Sequence, residues 1–121
     1  MYGKELILDL HDCDPSTFTR ESIEEYFKRL CEKIDMERCD LHYWDDEDTP
    51  EGEEETEPHL VGISAVQFIK TSNIVIHTLP LLKKVFVNIF SCKEFYNFHV
   101  EHHTETWFKG NIIGCTKVDR I

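Results

Sequence analysis

The chain has 121 residues, enough for one domain with a single core that needs neither disulfides nor metal to hold it. Its formal net charge of -11 argues against nucleic acid and anionic membranes as partners, since both need clustered Lys or Arg. Hydrophobic residues make up 40%, no apolar run approaches the roughly 18 residues of a membrane span, and Met1-Tyr2-Gly3-Lys4-Glu5 has no signal-peptide character, so a cytoplasmic protein is expected.

In chain order, Lys4 to Leu10 is rich in Leu and Ile and reads as a strand ending at His11-Asp12-Cys13-Asp14-Pro15. Ile23, Tyr26, Phe27, Leu30, Cys31 and Ile34 then recur at the i, i+3, i+4, i+7 spacing of a buried helix face. Thr19 is the expected N-cap, and Phe18 before it is placed to staple onto Ile23. Arg38 to Trp44 alternates as a second strand. Nine acidic residues follow between Asp45 and Glu57, a stretch of thirteen residues without Lys or Arg. This segment, about 45–58, reads as a solvated loop or as a lid that attracts a cationic substrate, and it lacks the D-x-[DN]-x-[DN]-G pattern of a calcium loop.

Three β-rich runs come next, His59 to Ile69, Asn73 to Thr78 and Lys83 to Ser91. The apolar triplets Ile74-Val75-Ile76 and Val85-Phe86-Val87 suggest strands covered on both faces. Residues from about Lys93 to Phe108 predict a second helix, with Phe95 and Phe98 facing the core and Gly110 as its stop signal. Asn111 to Val118 reads as a last strand. No repeat, linker or second domain is visible, so residues 1–121 are expected to form one α+β domain, with helices on one face of a mainly antiparallel sheet. Five cysteines, Cys13, Cys31, Cys39, Cys92 and Cys115, form no C-x-x-C pair, which predicts reduced thiols rather than disulfides or a zinc knuckle.

The residues with chemistry lie on the central runs: Gly62-Ile63-Ser64, then Ser72-Asn73-Ile74-Val75-Ile76-His77-Thr78-Leu79-Pro80, then Phe90-Ser91-Cys92. Around Ser72 stand a serine eight residues earlier, a histidine five later and a cysteine twenty later. Singly, such residues are usually a small polar strand residue, a satisfied core histidine and a small buried hydrophobe. As a set they resemble the core of the S-adenosylmethionine decarboxylase proenzymes of the short prokaryotic type. Gly3-Lys4-Glu5-Leu6 and Asp12-Cys13-Asp14 look like that family's opening strand and the turn after it.

The resemblance implies a two-layer sandwich whose sheets pack together into homodimers. It also implies that the chain breaks itself between Thr71 and Ser72: Ser72 Oγ attacks the Thr71 carbonyl, an ester replaces the amide, and β-elimination leaves a 50-residue chain beginning with a pyruvoyl group made from Ser72. That carbonyl is the electron sink that amino-acid decarboxylation needs, and no metal is expected. By the same resemblance His77 takes a proton during elimination, Ser64 hydrogen-bonds the ester, and Cys92 returns a proton to the substrate α-carbon, its ordinary pKa of about 8.5 keeping the acid form available. On a straight strand Ser72 and His77 point to opposite faces, so a bend or bulge at Asn73 is needed to bring them together. The implied activity is S-adenosylmethionine decarboxylation for spermidine synthesis.

The chain departs from the family where substrate is recognised. Thr71 and Asn73 flank Ser72 where Glu and His are usual, and Leu79-Pro80-Leu81 stands for Trp-Pro-Glu, whose Glu binds the ribose hydroxyls. Phe90-Ser91-Cys92-Lys93 replaces Phe-Thr-Cys-Gly, and the acidic loop with Glu57-Pro58-His59 replaces an aromatic stretch that helps stack adenine. Leaving a ribose hydroxyl buried without a partner costs on the order of 1–3 kcal/mol. Ornithine or arginine is therefore an alternative substrate, and a non-enzymatic paralogue that regulates an active decarboxylase is another reading. A metal site from His99, His102 and His103 is disfavoured, because Glu101 is not at the H-E-x-x-H position and no third ligand is evident; a surface or core-edge role is expected for these histidines.

Overall fold

The computed structural model describes residues 1–121. Six strands, β1 (Gly3–His11), β2 (Arg38–Trp44), β3 (Ile63–Ile69), β4 (Ser72–Leu79), β5 (Lys84–Ser91) and β6 (Asn111–Arg120), form one sheet in the order β2-β3-β4-β5-β1-β6. Every neighbouring pair is antiparallel. Helices α1 (Arg20–Lys33) and α2 (Asn97–Phe108) cover one face. The α+β expectation therefore holds, and the core lies between sheet and helices.

Strict alternation builds that core. Leu6, Leu8 and Leu10 of β1, Ile74 and Ile76 of β4 and Val85, Val87 and Ile89 of β5 are fully buried on the helix side. α1 contributes the face read from its periodicity, Ile23, Tyr26, Phe27, Leu30 and Cys31. Thr19 caps it, its hydroxyl accepting from the Ser22 N–H at 3.1 Å, while the Phe18 ring meets Phe108 edge-on at 6.0 Å. Truncating any one of the buried leucines to Ala costs about 2–5 kcal/mol.

Several expectations change. The central triplets are not covered twice: Val75 and Phe86 point to the face away from the helices and are only half-buried. α2 begins at Asn97 rather than near Lys93, and its buried side is Val100, His103, Thr104 and Phe108. Phe98 therefore faces solvent and stacks on His102, while Phe95, in the segment before the helix, is buried. β3 starts at Ile63, leaving His59 and Leu60 in a turn. Gly110 does follow the helix, but Lys109 takes the left-handed position, φ 54°. Gly110 is needed instead because a Cβ there would collide with the Cys13 sulfur.

A bulge in β2 is held by one side chain. The register shifts between Arg38 and Leu41, which exposes Cys39, and the buried Gln67 amide donates to the carbonyl oxygens of Cys39 (3.0 Å) and Asp40 (3.3 Å). Its oxygen accepts from Arg38 Nε at 3.0 Å. The acidic segment is tied at its start: Arg20 makes a two-point contact with Asp45, both distances 2.7 Å, and also pairs with Glu47.

His103 is buried between the helices, stacked on Tyr26 at 5.0 Å with Nε2 3.1 Å from the Tyr26 carbonyl oxygen. Burial lowers its pKa. An unfolded histidine titrates near 6.5, so below about pH 6.5 the unfolded chain takes up a proton that the fold resists, and stability falls with pH. Urea midpoints from pH 7 to pH 5 should therefore decline more steeply for the native chain than for His103→Gln, and equal declines would contradict this account.

Candidate functional site

β3 and β4 are joined by only Lys70 and Thr71, since Ile69 pairs directly with Ser72. Two-residue hairpins favour turns with a positive φ at the first central residue, typically Asn-Gly. Here Thr71, the second, carries φ 57°. Five non-glycine residues have positive φ, and Thr71 is the β-branched one among them, at a cost of about 1–2 kcal/mol. The strain sits in the residue whose carbonyl is bonded to Ser72.

Ser72 opens β4 and is 7% exposed. Its Oγ accepts from the Cys92 N–H at 3.2 Å, and its hydroxyl lies 3.8 Å from Cys92 Sγ. Thr71 Oγ1 lies closer, 3.0 Å from the same sulfur, and also contacts the Lys70 carbonyl at 2.7 Å. The two hydroxyls, Thr71 first, draw the Cys92 pKa below the usual thiol range. Burial does the opposite elsewhere, pushing Cys13 and Cys31 up to about 11. All five cysteines are free thiols, so Cys92 is distinguished by its neighbours and not by pairing. A cleft of about 550 Å³ opens at this end of the sheet, bounded by the α1–β2 connection, the Thr71 turn and Lys93. Lys93 spans it to the Asp35 carboxylate at 3.0 Å.

Ser64 and His77 are directly opposite each other on β3 and β4, and Ser64 Oγ is hydrogen-bonded to His77 Nδ1 at 2.7 Å. They lie on the open face. The bend expected at Asn73 is absent: Asn73 pairs in register with Phe68 and Phe90, and β4 runs straight. Five residues of strand, roughly 17 Å, separate His77 from Ser72, and the two alternate onto opposite faces. Within one chain the four residues thus form two pairs, Ser72 with Cys92 and Ser64 with His77, at opposite ends of β4.

Thr71 is the contact that sequence reasoning missed. Its signal was the register: with Asn73 opposite Phe90, residue 71 falls opposite residue 92. His99 and His102 of α2 are exposed and His103 is buried, and no three His, Cys, Asp or Glu side chains converge on a metal-sized site. No helix is long and apolar enough to cross a membrane. Thr71→Val keeps the side-chain shape and removes the hydroxyl. It should slow iodoacetamide labelling of Cys92 on the uncleaved chain at pH 7.5 by roughly two- to threefold, with exposed Cys39 unchanged as the internal control. An unaltered Cys92 rate would contradict the assigned contact.

The family model for S-adenosylmethionine decarboxylase matches residues 4–120. No curated protein matches the sequence. Among solved structures, the adenosylmethionine decarboxylase from Aquifex aeolicus VF5 is similar, with a TM-score of 0.69 at 18% identity, covering 97% of this chain and 87% of that one. At that identity the likeness is one of fold. With the family match running from the first strand to the last, the chain belongs to the S-adenosylmethionine decarboxylase family.

Proposed function

We propose that this chain is a self-processing, pyruvoyl-dependent S-adenosylmethionine decarboxylase that cleaves itself between Thr71 and Ser72 and serves spermidine synthesis. The observation that carries the proposal is the Thr71-Ser72 bond itself: a β-branched residue at φ 57° in a two-residue turn, followed by a buried hydroxyl beside a thiol. Attack by Ser72 Oγ on the Thr71 carbonyl breaks the amide and forms an ester. Removal of the Ser72 α-proton then breaks the Cβ–Oγ bond, releasing the Thr71 carboxylate. Water replaces the freed amine at residue 72 as ammonia leaves, and the residue becomes pyruvoyl.

Ser72 suits that fate. As the first residue of β4, a new terminus there stays fixed, because Asn73 onward remains paired on both sides. The pyruvoyl carbonyl supplies the electron sink for decarboxylation. Cys92 Sγ, 3.8 Å from the Ser72 hydroxyl, is the group next to residue 72 that can return a proton to the substrate α-carbon, and the hydroxyls that lower its pKa reduce the share of acid form expected of an ordinary thiol. The proton of Ser72 needs a base, and His77 of the same chain is roughly 17 Å along the strand.

A second copy resolves that separation. The open sheet face carries Val66, Phe68, Val75 and Phe86, with Phe68 46% exposed, an apolar surface that two copies can bury against each other. A two-fold axis across this face lays the His77 end of one β4 over the Ser72 end of the other. Each complete site then takes Ser72 and Cys92 from one copy and Ser64 and His77 from its partner.

Two measurements test this. Thr71→Gly relieves the turn, so it should raise the urea midpoint before cleavage and lengthen the half-time of chain cleavage; cleavage at the native rate would remove strain from the account. Ser72→Ala and His77→Ala proteins, each inactive alone, should regain cleavage and carbon dioxide release from S-adenosylmethionine when mixed and refolded together. Failure to complement, with dimers present by light scattering, would overturn the shared site.

A further inference from the structure

The cleft beside Ser72 carries four charged side chains in its lining, Asp35, Glu37, Lys70 and Lys93, two acids against two bases. Cleavage between Thr71 and Ser72 upsets that balance. Ordinary peptide hydrolysis leaves a carboxylate and an ammonium side by side, but here residue 72 loses its nitrogen as ammonia and becomes an uncharged pyruvoyl group. The new Thr71 carboxylate therefore receives no counter-charge from the cut itself, and Thr71 lines the same cleft. A cation beside a carboxylate that forms as a leaving group lowers the barrier to its departure.

Lys93 is placed to supply that cation. It follows Cys92, whose Sγ is 3.0 Å from Thr71 Oγ1, so residues 71 and 93 reach the cleft from adjoining connections. Its backbone is clamped by the fully buried Ser91, whose hydroxyl accepts from the Lys93 N–H at 3.0 Å and donates to the Lys93 carbonyl at 2.8 Å. The side chain is held more loosely. Nζ meets the Asp35 carbonyl and, at 3.0 Å, the Asp35 carboxylate, but the Lys93 side chain is 51% exposed and that of Asp35 98%. Ion pairs so open to water contribute little and exchange partners readily. Lys70, the other base, belongs to the turn that the cut opens and becomes the neighbour of the new terminus, whereas Lys93 stays on the fragment that begins at residue 72.

We infer that Lys93 exchanges Asp35 for the Thr71 carboxylate, stabilising it as the ester breaks and holding the new terminus in the cleft afterwards. This rests on the self-cleavage reading above and deepens it by assigning a residue to the elimination step. In that step the Ser72 α-proton goes to a base, the Cβ–Oγ bond breaks, and its electron pair leaves on Oγ, which becomes an oxygen of the Thr71 carboxylate. The full negative charge forms there, within the cleft, and the Lys93 ammonium offsets it. The earlier attack of Ser72 Oγ on the Thr71 carbonyl leaves no net charge on the ester, so Lys93 acts on the second step and not on the first.

Hydroxylamine separates the two steps, because it cuts a chain held as the ester to give a fragment that begins with serine, whereas completed elimination gives one that begins with pyruvoyl. The full-length chain, made in a short pulse of cell-free synthesis, is sampled over time and read by intact mass after hydroxylamine treatment. Lys93→Gln should form the pyruvoyl fragment about three- to tenfold more slowly than the native chain and accumulate the serine fragment. Lys93→Arg keeps the cation and should restore the native course, and Asp35→Asn, which removes the competing partner, should match or exceed the native rate. All of these replacements fall on exposed side chains, so the fold is preserved. Pyruvoyl formation by Lys93→Gln at the native rate, slowing without accumulation of ester, or equal slowing by Lys70→Gln overturns the assignment. If the native chain gives neither fragment, the self-cleavage reading falls and takes the role of Lys93 with it; if the native chain cleaves and Lys93→Gln cleaves equally well, the role of Lys93 alone falls.

Discussion

The two-residue connection at Lys70-Thr71 governs everything around it. Because β3 and β4 are joined by so short a turn and both remain regular, one register places Ser64 opposite His77 and Ile69 opposite Ser72. The β4–β5 register then brings residue 92 up to residues 71 and 72. A slip of one residue would turn each side chain to the other face and dissolve both pairs. The turn is held in this register by burial of Ile74, Ile76, Val87 and Ile89 beneath the helices, so the core bears the strain at Thr71.

Much of this was legible in the sequence. The α1 face, the Thr19 cap and the extents of β1 and β2 followed from periodicity, capping chemistry and turn residues, and the mainly antiparallel character of the sheet from the succession of elements, though not the order of its strands. What failed did so for identifiable reasons. Ile74-Val75-Ile76 is apolar throughout, and a run of that kind says nothing about whether its second face is covered within the same chain. The start of α2 was misplaced because Phe95 and Phe98 share a residue type but not a place in the helix, Phe95 preceding it. The geometry of the candidate site was only half legible: residue identities and spacings came from the resemblance, while alternation correctly opposed Ser72 to His77 and no bulge intervenes.

The departures from the family pattern also acquire physical content. Thr71, where a glutamate is usual, supplies a hydroxyl to Cys92 and a strained turn to Ser72. Lys93, where a glycine is usual, reaches across the cleft to Asp35. Leu81 is 60% exposed in the β4–β5 connection, and its side chain offers no acceptor. Thr71, Leu81 and Lys93 lie in turns and loops, where side chains can be exchanged without disturbing the core, whereas Asn73, Leu79 and Ser91 depart from the pattern at the ends of β4 and β5.

The central claim is that the Thr71-Ser72 bond does not survive in the mature protein. Intact mass measurement of the freshly purified chain under denaturing conditions, beside Ser72→Ala, addresses it most directly. The account predicts two fragments divided between residues 71 and 72, the second beginning with a blocked residue lighter than serine by one ammonia, and a single chain in the variant. A native protein that remains one uncut chain of 14.3 kDa, alone and as a dimer, would contradict it.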